Sequence, residues 1–210
     1  MISYTITAYN ESHELILLLD FLLNYIKNED EIIVQVDSDK VTKEVEEVIE
    51  NYIDKFNSLI YVKFPLDNDF ALFKNNLKKY CSKEWIFNID ADEVPSNFLL
   101  ENMHTILKSN ENIDMFLVPR WNIVDGITDE YVKKWRWKFD EFERINWPDL
   151  QTRIYKNKDN IVWKNKVHER LDGFETYSIL PEEKEFSLLH VKSIERQVYQ
   201  NDFYDKIISE

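Results

Sequence analysis

Glycine is nearly absent, with two residues in 210. The phosphate loops of dinucleotide-binding and P-loop folds need glycine for close backbone approach. Neither G-x-G-x-x-G nor G-x-x-x-x-G-K-[ST] occurs, so any nucleotide must be held another way. Cysteine is limited to Cys81, which excludes an internal disulfide and fits a reducing compartment. It reads as a small buried apolar residue, not a nucleophile. No stretch reaches the ~20 apolar residues of a membrane span. Leu15 to Leu23 is strongly apolar, but Asp20 interrupts it and no cleavage site follows, so it reads as a core helix, not a signal peptide. Positive charge is also short: the formal net charge of −14 argues against a nucleic-acid surface.

What is present describes a folded globule, 44% hydrophobic and 14% aromatic despite 31% charged residues. The length suits one α/β domain with a substantial core. Charge is uneven. Lys133 to Arg170 carries 11 Lys/Arg against 6 Asp/Glu, a local +5, leaving −19 elsewhere. Such an island suits a diphosphate facing a carboxylate–metal site, or it is a solvated face that carries lysines.

The most informative stretch is Trp85 to Pro95. Trp85 to Ile89 reads as a strand buried on both faces. Asp90, Asp92 and Glu93 follow it, and Pro95 ends further pairing. Asp90 and Asp92, two apart, point to one side of extended backbone. Carboxylates that close repel unless a cation lies between them. All-oxygen ligands favour Mg²⁺ or Mn²⁺, and Ala91 leaves room for a ligand against the backbone. The ordinary alternative is a solvated acidic turn; the buried strand before the motif and the third acid after it favour the metal.

In chain order, Ile2 to Thr7 reads as a first strand, Ala8 to Ser12 as a loop, and His13 to Lys27 as a buried helix with Ser12 as N-cap and Glu14 in its first turn. Glu31 to Val36 is a second strand ending in Asp37-Ser38-Asp39, where ligands collect beyond strand ends in open α/β sheets. One of these aspartates bonds a base or ribose, or Asp39 caps the next turn. Val41 to Phe56 is an amphipathic helix, Leu59 to Phe64 a third strand, and Asp69 to Tyr80 a helix before the metal strand. This β-α alternation predicts a parallel sheet with right-handed crossovers. Ser96 caps a helix to Lys108, and Asp114 to Pro119 is a further strand. Trp135, Trp137, Phe139, Phe142 and Trp147 lack periodicity and supply either core or a carbohydrate-stacking lip. Thr152 to Tyr155 and Ile161 to Trp163 read as a hairpin, Leu188 to Val191 as a last strand, and Ile194 onward as a helix without a closing cap. That ending suggests one domain cut from a longer polypeptide.

Four segments, in order, resemble the family-2-type glycosyltransferases of the GT-A fold. Thr5 to Glu11 resembles the opening strand and nucleotide loop, and Phe70 to Asn75 the helix before the metal strand, with Lys74 where arginine is usual. Trp85 to Glu93 resembles the metal strand, and Arg153-Ile154-Tyr155 through Val167-His168-Glu169 the acceptor-side segment. Compact domains of this kind also occur in large algal viruses. The resemblance implies a central, mostly parallel sheet flanked by helices with a smaller antiparallel acceptor-side part. Residues 1–120 would form the nucleotide-sugar half and 121–210 the acceptor half.

It further implies a nucleotide-sugar donor, UDP-linked, Mn²⁺ or Mg²⁺ on its diphosphate, and inverting transfer of a hexose or deoxyhexose to a glycan or glycoprotein. The setting would be cytoplasmic, the host's if the source is viral. Asp92 is the first choice for direct metal contact, with Asp90 toward ribose or a metal-bound water and Glu93 orienting the loop. His168 or His190 is a further metal ligand. Asp37 and Asp39 meet base and ribose beside Ala8, Tyr9, Asn10, Glu11 and Ala91, and Lys74 reaches the diphosphate. The base that takes the acceptor proton is Asp149 or Glu169. A nucleotidyltransferase is disfavoured by the missing glycine loop, and an aspartyl phosphatase by a motif on the fourth strand instead of the first. A non-catalytic carbohydrate- or nucleotide-sugar-binding module is the rival from another class.

Overall fold

The computed structural model describes residues 1–209. Strands β1 (Ile2–Ala8), β2 (Glu31–Asp37), β3 (Leu59–Phe64) and β4 (Trp85–Asp90) alternate with helices α1 (Ser12–Leu23), α2 (Lys43–Ile53) and α3 (Phe70–Lys78). After β5 (Glu93–Pro95) come α4 (Asn97–Ser109), β6 (Met115–Val118), β7 (Arg120–Asp125) and α5 (Asp129–Trp135). The chain closes with β8 (Gln151–Lys156), β9 (Val162–Lys164), β10 (Arg170–Asp172), β11 (Tyr177–Ile179), β12 (Leu188–Ser193) and α6 (Ile194–Ser209).

The main sheet has the order β11-β6-β8-β4-β1-β2-β3. All its neighbours pair in parallel except those of β8, which runs antiparallel between β4 and β6. Alternation along the strands sorts the two faces. Ile2, Tyr4 and Ile6 of β1, with Trp85, Phe87 and Ile89 of β4, pack under α1, α2 and α4. Leu15, Leu18, Leu19 and Leu22 of α1 have no exposed surface, each contributing roughly 1.5–3 kcal/mol by burial. The opposite residues, Ile86, Asn88 and Asp90 of β4, face α3, so Asp90 leaves the strand on that side.

The parallel β-α alternation matches the expectation from sequence; several local expectations do not. Thr152–Tyr155 and Ile161–Trp163 do not form a hairpin. β8 is an interior strand of the main sheet, with Ile154 and Tyr155 buried between two neighbours, while β9 pairs antiparallel with β10. Trp163 is held instead by a bond from its Nε1 to the Tyr155 hydroxyl (3.1 Å). α1 ends at Leu23, and Glu11 rather than Ser12 is its N-cap residue. Asp39 lies within the turn after β2, its Oδ1 accepting from Ser38 Oγ (3.1 Å), and Thr42 precedes α2. Ser96 does cap α4, its Oγ accepting from the Leu99 amide at 3.0 Å. The aromatics divide: Trp135 stacks on Tyr131 (ring centroids 4.8 Å apart), Arg144 lies over Trp147 (4.1 Å), and Phe142 is 65% exposed.

A second sheet, β5-β12-β7, positions the chemistry. Register sets Glu93, His190 and Asn122 side by side across its three strands. The next row, Val94, Leu189 and Trp121, points to the other face. One face of this small sheet therefore closes on the end of β4.

Candidate active site

The carboxyl ends of β1, β2 and β4 open into a cavity of about 700 Å³, roofed by α6. It gathers Ala8, Tyr9, Asn10, Glu11, Asp37, Lys74, Asp90, Ala91, Asp92, Glu169 and His190, most of the residues singled out from sequence. Convergence follows from topology, since parallel strands joined by helices deliver their C-terminal ends to one edge. The β1–α1 turn is tied by Glu11, whose carboxylate accepts the amides of Tyr9 (2.6 Å) and Asn10 (3.0 Å). Asp37 accepts from the amides of Asp39 and Leu66, both at 3.2 Å. Asp39 itself is exposed and outside the cavity wall.

Asp90 and Asp92 diverge in partners. Asp90 accepts from Thr7 Oγ1 (3.1 Å) and from Arg153 (2.5 Å). The same Arg153 nitrogen reaches Glu93 Oε1 (2.5 Å), which also takes Arg120 at 3.0 Å. Glu93 is fully buried, and its other oxygen accepts the Asp90 amide at 3.2 Å, so it orients the motif's loop. Burial alone would raise the Asp90 pKa, but Arg153, Lys74 and Arg120 outweigh it and hold the carboxyl well below the usual range. Asp92 faces His190 Nε2 at 3.1 Å and Arg196 at 3.5 Å. Burial is again outweighed, here by the His190 contact and the Arg196 charge, so its pKa is lowered.

His190 Nδ1 lies 2.7 Å from Asn122 Oδ1, and Asn122 Nδ2 donates to Asp149 Oδ2 at 2.6 Å. Asp149 also takes Arg120 (2.8 Å) and Gln151 (2.8 Å) and lies outside the cavity wall. Glu169 lines the cavity, paired with Lys74 Nζ at 2.6 Å. Lys74 also sits 4.6 Å from the Trp163 ring centroid. The structure does not bring His168 to the carboxylates. It is exposed at φ 53°, on a neighbouring cavity of about 290 Å³ beside Trp135 and Tyr204.

Sequence reasoning missed Arg120, Asn122 and the roof, and assigned Arg153 no role. Arg196 on α6 binds Glu11 (2.5 Å) and Glu14 (3.0 Å) as well as Asp92. Tyr199, Gln200, Phe203 and Tyr204 extend that helix face over the cavity. Their i, i+3, i+4, i+7, i+8 spacing from Arg196 was a legible signal for one helix face.

Two protein groups, Asp92 and His190 Nε2, meet 3.1 Å apart on the cavity wall. Among the described residues no cluster of three or more His, Cys, Asp or Glu side chains could hold a metal. A hard divalent ion bound through one or two protein groups completes its shell with substrate phosphate and water, so the pair fits such an ion only together with a phosphorylated ligand. Electrostatics favours the fit. Six carboxylates and four Lys/Arg line the cavity, and Lys74, Arg120 and Arg196 are already paired. A diphosphate entering alone would meet excess negative charge.

The chain belongs to glycosyl transferase family 2, whose profile matches residues 3–178. The fold is that of GT-A enzymes. Staphylococcus aureus TarS 1–349 in complex with UDP-GlcNAc is similar, with 17% identity and a TM-score of 0.65 over 91% of this chain and 58% of that one. Its complex with UDP gives 17% identity and 0.64 over 97% and 62%. The mannosyltransferase PcManGT from Pyrobaculum calidifontis, in complex with GDP-Man and Mn²⁺, gives 17% identity and 0.50 over 57% and 35%. The chain thus spans about three-fifths of the length of the TarS 1–349 structures. No curated protein matches it significantly. Among the described residues no helix is long and apolar enough to cross a membrane.

Proposed function

We propose that the chain carries out metal-dependent, inverting transfer of a sugar from a nucleotide donor, UDP-linked, to a hydroxyl of a glycan or glycoprotein. The setting is cytoplasmic. Residues 1–120 handle chiefly the donor and 121–210 the acceptor. The observation that carries this reading is the convergence of Asp92 and His190 Nε2, 3.1 Å apart, in a cavity of excess negative charge beside the β1–α1 loop. Asp92 and His190 would hold Mn²⁺ or Mg²⁺. Such an ion neutralises charge on the departing nucleoside diphosphate.

The chain's own groups do the rest. The Ala8–Asn10 backbone and Asp37 hold base and ribose, Asp90 serves the ribose from its fixed seat on Arg153, and Ala91 admits the ligand against the backbone. Lys74 lies on the same wall as a point charge toward the phosphates. Inversion follows from one direct displacement at the anomeric carbon. The acceptor oxygen attacks as the bond to the diphosphate breaks, and a carboxylate takes the hydroxyl proton. Glu169 is the better-supported base, because it lines the cavity while Asp149 has both oxygens occupied by donors.

Calorimetric titration of UDP with and without Mn²⁺ tests the reading. Metal-dependent binding that Asp92→Ala abolishes supports it, and equal binding with and without the ion overturns it.

A further inference from the structure

Behind the cavity wall a run of hydrogen bonds joins Asp149 to Asn122 and Asn122 to His190. A role for Asn122 rests on the reading of Asp92 and His190 as the cation's protein ligands. Asp149 is ion-paired to Arg120 (2.8 Å), and an ionised carboxylate can only accept hydrogen bonds. Asn122 must therefore turn its Nδ2 toward Asp149 Oδ2, at 2.6 Å. The flipped amide would set two oxygens against each other and lose the bond. Its Oδ1 is thereby committed to His190 Nδ1, at 2.7 Å, and an amide oxygen can only accept. Nδ1 carries a proton, and Nε2 is left toward Asp92.

Backbone geometry makes the placement rigid. Asn122 and His190 are register partners on β7 and β12, so their side chains leave the same face of the sheet side by side. Arg120, two residues earlier on β7, shares that face and binds the same Asp149 oxygen, while Gln151 holds the other. The relay lies on sheet strands and a clamped carboxylate, which suits a fixed ring orientation.

We infer that Asn122, itself oriented by Asp149, is a positioning residue that locks His190 as the Nδ1–H tautomer with Nε2 aimed at the cation. Asp149 then acts through Asn122, two side chains from the ion, and is not the group that removes the acceptor proton. An outer partner of this kind costs about 10–100-fold in metal affinity when removed.

Mn²⁺ binding in the presence of saturating UDP, read from loss of the free-ion EPR signal, needs no turnover. Asn122→Leu is expected to weaken Mn²⁺ by about 10–100-fold. His190→Ala weakens it as well. The exchange Asn122→Asp with Asn in place of Asp149 (Asp149→Asn) keeps the net charge and still offers His190 Nδ1 an acceptor, so it is expected to recover most of the loss. If His190→Ala weakens Mn²⁺ and Asn122→Leu changes it by less than about twofold, the inference is overturned while the metal site stands. If His190→Ala has no effect, the metal-site reading falls and the inference with it. Should Asn122→Leu lose its cooperative melting transition, the exchange decides: a folded exchange variant that does not hold Mn²⁺ overturns the inference.

Discussion

Replacing Glu93 by glutamine removes one charge from the centre of the molecule without changing its shape. Glu93 has no exposed surface, and one of its oxygens holds both Arg153 (2.5 Å) and Arg120 (3.0 Å). Arg153 is itself only 4% exposed through its side chain, so neither water nor salt can take over. A charge pair near 4 Å is worth about 4 kcal/mol at an effective dielectric of 20, so two such pairs sum to about 8 kcal/mol gross. Relief of the glutamate's own desolvation, and the remaining pairs of Arg153 with Asp90 and Arg120 with Asp149, offset part of this. A net loss of about 3–5 kcal/mol is expected, the range found when one partner of a buried pair is removed. With a urea m value of about 2–3 kcal/mol/M, the unfolding midpoint falls by about 1–2 M. A midpoint shift below about 0.3 M at unchanged m would refute the view that these arginines depend on Glu93. Because Glu93 also accepts the Asp90 amide, folded variant protein should bind metal-dependent UDP more weakly.

Glu169→Gln should lower transfer about 10²–10⁴-fold while leaving UDP·Mn²⁺ binding near parental, which steady-state kinetics beside calorimetry would check. Arg196→Ala should weaken UDP, since it frees Glu11, the group that ties the Tyr9 and Asn10 amides; a dissociation constant unchanged by titration would contradict that coupling. Leu18→Ala, in a site with no exposed surface, should cost about 2–5 kcal/mol in chemical denaturation. Asp114, bonded by Lys158 and the amides of Glu175 and Thr176, has its pKa lowered from 3.8 to about 2. A depressed carboxylate stabilises the fold above its unfolded pKa and loses that contribution as pH falls through the folded value. Asp114→Asn should therefore flatten the acid limb of stability between about pH 4 and pH 2, as urea midpoints across that range will show.

Much of this protein was legible in one dimension. Apolar alternation marked β1, β2, β3 and β4, and 3.6-residue spacing marked α2, because each signal lies within a window of a dozen residues. Chain order made those strands parallel, and parallel strands bring Ala8, Asp37 and Asp90 to one edge wherever the helices pack. The tertiary structure alone decided which carboxylates are already occupied and which remain open. Arg153 meets Asp90 across 63 positions, His190 meets Asp92 across 98, and Arg196 meets Glu11 across 185. Such partners are chosen by strand register and by where α6 crosses the sheet, and no local pattern encodes either. The same reason sent β8 to the interior of the main sheet instead of into a hairpin: a short apolar strand pairs with whichever neighbours bury it best, and those neighbours, β4 and β6, come from elsewhere in the chain.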